Sequence, residues 1–128
     1  MIRKLIRLYQ WLPVIWKDEE WDYNYLLDII KYKLSRMEKV IGSPRSFAAH
    51  WEQRRVELAQ AQLLISKFHD DPDDEWTAHY NQYHTGEGLS CPAETTCRLS
   101  LSASHKRTER NWKAIWKHFE KCGRGWWD

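Results

Sequence analysis

The sequence predicts an all-α fold, an irregular bundle of about four to five helices around a long central one. Three observations carry this expectation. Apolar residues recur every three or four positions through most of the chain, the spacing that lines one face of a helix. Pro, Gly, Ser and Asp fall at the joints between those stretches, where helices start and stop. No repeat, low-complexity tract or second hydrophobic unit divides the 128 residues, so a single helical domain over 1–128 is expected.

Residues 2 to 12 place Leu5, Leu8, Tyr9 and Leu12 at helical spacing with Arg3 and Arg7 opposite, a short basic amphipathic helix that Pro13 should close. The link PVIWKDEE follows, with Asp18 or Asp22 suited to cap the next helix. From about Asp18 to Ile41, a seam of Tyr23, Leu26, Leu27, Ile30, Leu34, Met37 and Ile41 marks the central helix. A flanking arc of Trp21, Tyr25, Ile29 and Tyr32, beside Asp22, Lys33 and Arg36, implies cover on a second side. Gly42 suits a left-handed C-terminal stop, and Ser43-Pro44 suits the cap and first residue of the helix after it. That helix should run to about His69 with Phe47, Trp51, Leu58, Ile65 and Phe68 on one face, completed by Arg54 and Ala61, antiparallel to its predecessor.

In DDPDDEW, Asp71 is the expected cap and Pro72 the first helical residue, with Asp73, Asp74 and Glu75 where the helix dipole favours negative charge. A short helix carrying Trp76, Tyr80 and Tyr83 should end near His84. The stretch TGEGLSCPAETTCRLSLSAS, about 85–104, reads as a long flexible loop with a short strand at CRLSL. Ser104 would then cap a last helix whose stripe is Trp112, Ile115, Trp116 and Phe119, ended by Gly123.

Acids and bases nearly cancel to a net +2, which removes any bulk electrostatic argument for nucleic acid. The chain has no apolar run of about 18 residues and no signal-peptide pattern at its basic start, so a cytoplasmic protein without a membrane partner is expected. An odd count of cysteines, Cys91, Cys97 and Cys122, suits free thiols in a reducing compartment. Nine tryptophans are the anomaly, because each is a large amphipathic surface that must be buried, stacked or offered to a partner. Trp51, Trp112 and Trp116 lie on apolar stripes and are expected in the core. Trp11, Trp16, Trp21, Trp126 and Trp127 sit at element ends or in links, where they either lock the chain onto the core or face a partner.

Two constellations could carry binding. Lys106, Arg110, Lys113, Lys117 and Lys121 fall within an arc of roughly 80° on the last helix, a cationic rail suited to phosphates or an acidic partner. Its plainer reading is a solvated face laced by Glu109 and Lys113. The acidic run Asp70, Asp71, Asp73, Asp74 and Glu75 lacks the spacing of a calcium loop and reads as helix capping, with nucleic-acid mimicry toward a basic host protein as an alternative. Cys91, Cys97, His118 and Cys122 have the ligand types of a zinc site, but their spacings do not fit, so neither a metal nor a cofactor is expected. Glycine-rich phosphate loops, serine elbows and His-Glu-x-x-His patterns are missing from the sequence, and it is read as non-enzymatic.

The segment LPVIWKDEEWDYNYLLDIIKYKLSRM, with the terminal Trp126-Trp127-Asp128, resembles a group of small uncharacterised tailed-bacteriophage proteins with a Trp-Lys-Asp-x-x-Trp-Asp-Tyr entry and a final Trp-Trp-Asp. The resemblance covers about a quarter of the chain and implies a phage product at work in the cytoplasm of the infected bacterium. It implies no activity. Trp16, Lys17, Asp18, Trp21, Asp22, Tyr23, Trp126 and Trp127 match it and form the candidate aromatic and charged patch. On this reading the chain is an accessory counter-defence inhibitor that binds a host protein. The alternative is a protein that sequesters a host signalling nucleotide, with the rail or Arg54 and Arg55 on phosphate. A metal-dependent nuclease is a distant third, and end tryptophans could equally close a homodimer.

Overall fold

The computed structural model describes residues 2–16, 22–43, 50–84 and 94–126. Five α-helices follow one another, α1 Ile2–Ile15, α2 Tyr23–Ile41, α3 Trp51–His69, α4 Glu75–His84 and α5 Glu94–Cys122, and a 3₁₀ turn over Gly123–Trp126 closes the series. No strand occurs among the described residues, so the all-α expectation holds.

The core forms where α2, α3 and the C-terminal half of α5 meet. Leu27, Leu34 and Ile41 of α2, Leu58, Ala61 and Ile65 of α3, Ile115 of α5 and Trp126 are its buried members. Burying each of the leucines and isoleucines among them contributes about 1.5–3 kcal/mol. Tyr23 meets Phe68 and Trp112 at one end of α2, and Glu38 near the other end bonds Gln62. The α2–α3 pair is therefore antiparallel, as the short connection predicts. In contrast α1 and α4 are satellites, α1 lying on α2 and α4 on the N-terminal half of α5.

Asp22 caps α2, its Oδ1 accepting the Asn24 amide at 2.8 Å, so the helix starts here and Asp18 is not its cap. Gly42 sits at φ −82°, not in the left-handed region expected of it. Its missing side chain serves a close approach instead, because a Cβ there would lie 3.3 Å from the guanidinium of Arg55, which pairs with Glu38. Pro13 does not close α1, since the helix runs through it to Ile15; a fixed φ is compatible with one more turn, and Trp16 still donates to the Leu12 carbonyl. The proposed start of α3 at Pro44, with Phe47, lies outside the described residues. Ser43 bonds back to the Val40 carbonyl, and α3 as described begins after His50.

The largest departure is at α5. Residues 94–104, expected as loop and strand, are the first three turns of a 29-residue helix, and Ser104 lies inside it. Hydroxyls that favour turns in isolation are satisfied along the helix here: Ser100 donates to the Cys97 carbonyl and Thr108 to that of Ser104. Residues 85–93 of the predicted loop lie outside the described residues.

The acidic run explains how α4 is held. Asp74, rather than Asp71, caps α4 by accepting the amide and hydroxyl of Thr77. Asp71 instead closes the preceding turn through the Asp73 amide and takes Asn111 at 2.8 Å. Asp74 also accepts the Ser104 hydroxyl, and Glu75 is gripped by Arg107 through two bonds of 2.9 and 2.6 Å. Residues 104, 107 and 111 share one face of α5, so three carboxylates clamp the α4 entry onto it.

Candidate functional site

The structure divides the predicted aromatic patch. Trp16 is 84 % exposed at the end of α1. Trp126 is 5 % exposed, packs edge-on against Phe119 and donates its indole N–H to Glu57 at 3.1 Å, so it is a core pin and leaves the patch. Asp22 is the α2 cap, and Tyr23 leans on Phe68 and Trp112. Lys17, Asp18, Trp21 and Trp127 lie outside the described residues. The core assignment also fails for Trp51, which is 41 % exposed, while Trp112 packs on the core and Trp116 stays largely outside, touching Trp112 and Phe119.

All five cations of the rail are exposed along α5. Lys113 pairs with Glu109 at 3.1 Å, the solvated pair anticipated from their spacing, and two such exposed partners contribute about 0.3–0.5 kcal/mol. Beside the rail opens a cleft of about 480 Å³ walled by Tyr23, Phe68 and Trp112, with His105, Lys106 and Glu109 at its rim. One residue from each predicted constellation, Tyr23 and Lys106, therefore meets here. Because Lys106 and Glu109 oppose each other in sign, the rim offers an anion little net field.

Sequence reasoning missed a different surface. On a helical wheel, Ile2, Leu5, Ile6, Leu8, Tyr9, Leu12, Ile15 and Trp16 cover roughly half of α1, and Arg3, Arg7, Gln10 and Trp11 occupy the opposite side. The helix docks on α2 by that more polar side. Trp11 is half-buried against the Tyr32 ring with centroids 4.9 Å apart, and Tyr32 donates its hydroxyl to the Gln10 carbonyl at 2.7 Å. No residue of α1 is buried, and seven of its apolar side chains face outward together with Trp16 just past its end. The signal was legible as an amphipathic stripe, but periodicity does not say which side meets the core.

The cysteines correct one expectation. Cys97 is disulfide-bonded, so the three do not remain free thiols and the odd count gives no ground for a reducing compartment. His79, 7 % exposed, lies 3.2 Å from the Cys97 sulfur. A disulfide sulfur carries no hydrogen, so the imidazole Nε2–H is the donor. Cys122 is a free thiol at the core edge, its pKa raised by burial and by Glu57. His118 donates its Nε2–H to the Glu57 carbonyl at 2.8 Å.

No protein-family model, curated protein or solved structure gives a significant match to the chain. Among the described residues, no helix is long and apolar enough to cross a membrane.

Proposed function

We propose that the protein is a non-enzymatic phage accessory protein that inhibits a host defence protein, and that α1 is the element it inserts. The outward apolar face of α1 carries this reading. Exposed apolar patches of this kind are uncommon on a chain that works alone in water. Docking a helix by its polar side leaves the apolar side to be covered by something else. An amphipathic helix laid into a partner's groove is a recurrent recognition mode, anchored at spacings of three, four and seven residues. Leu5, Leu8, Leu12 and Trp16 supply those spacings, and a large exposed tryptophan is a typical anchor. α1 contains no acidic residue, and Lys4 borders its apolar face on the helical wheel, which suits a receiving groove with an acidic rim. The phage origin, the cytoplasmic setting and the choice of a defence protein rest on the resemblance around residues 12 to 37 and at the terminal Trp-Trp-Asp.

A photo-crosslinking amino acid in place of Trp16, expressed in bacterial cells with active defence systems, tests this. The expected result is one discrete adduct with a host polypeptide, lost on adding Leu8→Asp and Leu12→Asp. That double variant should keep its thermal midpoint, since neither residue is in the core. An adduct of two copies of this chain, an adduct indifferent to the substitutions, or flotation with anionic vesicles in place of any adduct would each overturn the reading.

A further inference from the structure

We propose that the groove between α1, α2 and the terminal 3₁₀ turn binds a mononucleotide, with its phosphate on Arg7, Lys33 and Arg36 and its base against Trp11, Met37 and Trp126. The groove encloses about 500 Å³, within the range of small-ligand sites. It lies on the side of α1 away from the exposed apolar face, so the inference does not rest on the partner reading above.

Charge is the first argument. Three cations converge on the groove and no carboxylate lines it among the described residues. Three cations elsewhere do have an acidic partner: Arg55 has Glu38, Arg107 has Glu75 and Lys113 has Glu109. None of Arg7, Lys33 and Arg36 has an ion pair among the described residues. Like charges gathered in one concavity repel one another until an anion sits between them.

Preorganisation is the second. Arg36 donates to the Tyr32 hydroxyl at 3.3 Å, and its guanidinium carbon lies 5.8 Å from the centre of that ring. Tyr32 is in turn tied to α1 through Gln10 and Trp11. The guanidinium is thus oriented before any ligand arrives, and its remaining N–H groups suit the paired oxygens of a phosphate. Lys33, Arg36, Met37 and Val40 recur at helical spacing, which sets two cationic side chains and then two apolar ones along one face of α2. A bare phosphate would use the cations alone and a nucleoside the apolar wall alone, whereas a nucleotide uses both. The same logic moves the phosphate-binding role away from Arg55, already engaged by Glu38, and from the rail, whose adjoining cleft is rimmed by both signs.

Isothermal titration calorimetry of the full chain with ADP, GDP, inorganic phosphate and adenosine tests the site. One-site binding of a nucleoside diphosphate is expected, at least about 10-fold tighter than either phosphate or adenosine. Arg36→Gln and Lys33→Gln should each weaken it by about 10-fold, the usual cost of a charge-assisted phosphate contact. Lys33 is exposed, so its variant should fold even if that of Arg36 does not. Two controls, Lys113→Glu with Lys117→Glu on the rail and Leu8→Asp with Leu12→Asp on the outer face of α1, should leave the affinity within about twofold, as expected for sites away from the contact. Phosphate binding as tightly as ADP, no heat with either nucleotide at millimolar concentration, or full affinity in Lys33→Gln would overturn the proposal.

Discussion

Two tryptophans that read alike as end-positioned residues have opposite roles. Trp126 is enclosed by His118 and Phe119, and its indole is satisfied by the same Glu57 carboxylate that holds Gln53. Trp16 stands in the open. Trp126→Ala should therefore cost about 3–5 kcal/mol in urea denaturation, from the emptied volume and the orphaned acceptor. Trp16→Ala should change stability by less than about 0.5 kcal/mol, as for other surface sites. Equal effects would refute this division. His50 offers a converse test, because it precedes α3 at φ 56° with no capping bond from its side chain. His50→Gly should stabilise the fold by about 0.5–1 kcal/mol, since glycine meets no Cβ clash in the left-handed region.

At the scale of elements, the clamp between the acidic run and α5 makes stability depend on pH. The two bonds from Arg107 hold the Glu75 carboxyl down to about 2 from its ordinary 4.5. Partial burial would raise Asp74, but bonds from Ser104 and Thr77 outweigh it and leave that carboxyl lowered as well. Carboxyls lowered on folding stabilise the native state fully above their unfolded values, and the contribution is lost as pH falls through the window from about 4.5 towards 2. The thermal midpoint should drop across that window, and Glu75→Gln should flatten the drop while lowering the midpoint at neutral pH. A Glu75→Gln curve parallel to the wild-type one would show that the pair contributes nothing on folding. This clamp also shows why α5 was only half legible. From Trp112 onward the apolar stripe announces a helix, whereas Glu94 to Ser104 is rich in Ser and Thr, which compete for the backbone and carry no apolar face. Its helicity is secured by partners far away in sequence, Asp74 on Ser104 and His79 on Cys97. By contrast, the α2 seam of Leu27, Leu34 and Ile41 and the Asp22 cap were readable locally, because period and capping chemistry are short-range signals.

The whole molecule is a three-helix core with two dissimilar satellites. α4 is bolted on by three carboxylates, while α1 touches α2 through Trp11, Gln10 and Tyr32 alone among the contacts named above. The apolar stripe of α1 is legible in the sequence but its orientation is not, since an amphipathic pattern fits a helix packed on its own core and one held out to a partner equally well. That ambiguity has a measurable resolution. If α1 is held out, deletion of residues 1–16 removes no core side chain, and the remainder should unfold cooperatively with a midpoint within a few degrees of the full chain, as expected for a loss below about 1 kcal/mol. The deletion should also reduce self-association and nonspecific adsorption, because it takes away eight outward apolar side chains. A loss of cooperative unfolding would mean instead that the apolar side of α1 is buried in solution, and α1 would have to be counted as core rather than as the element offered to a partner.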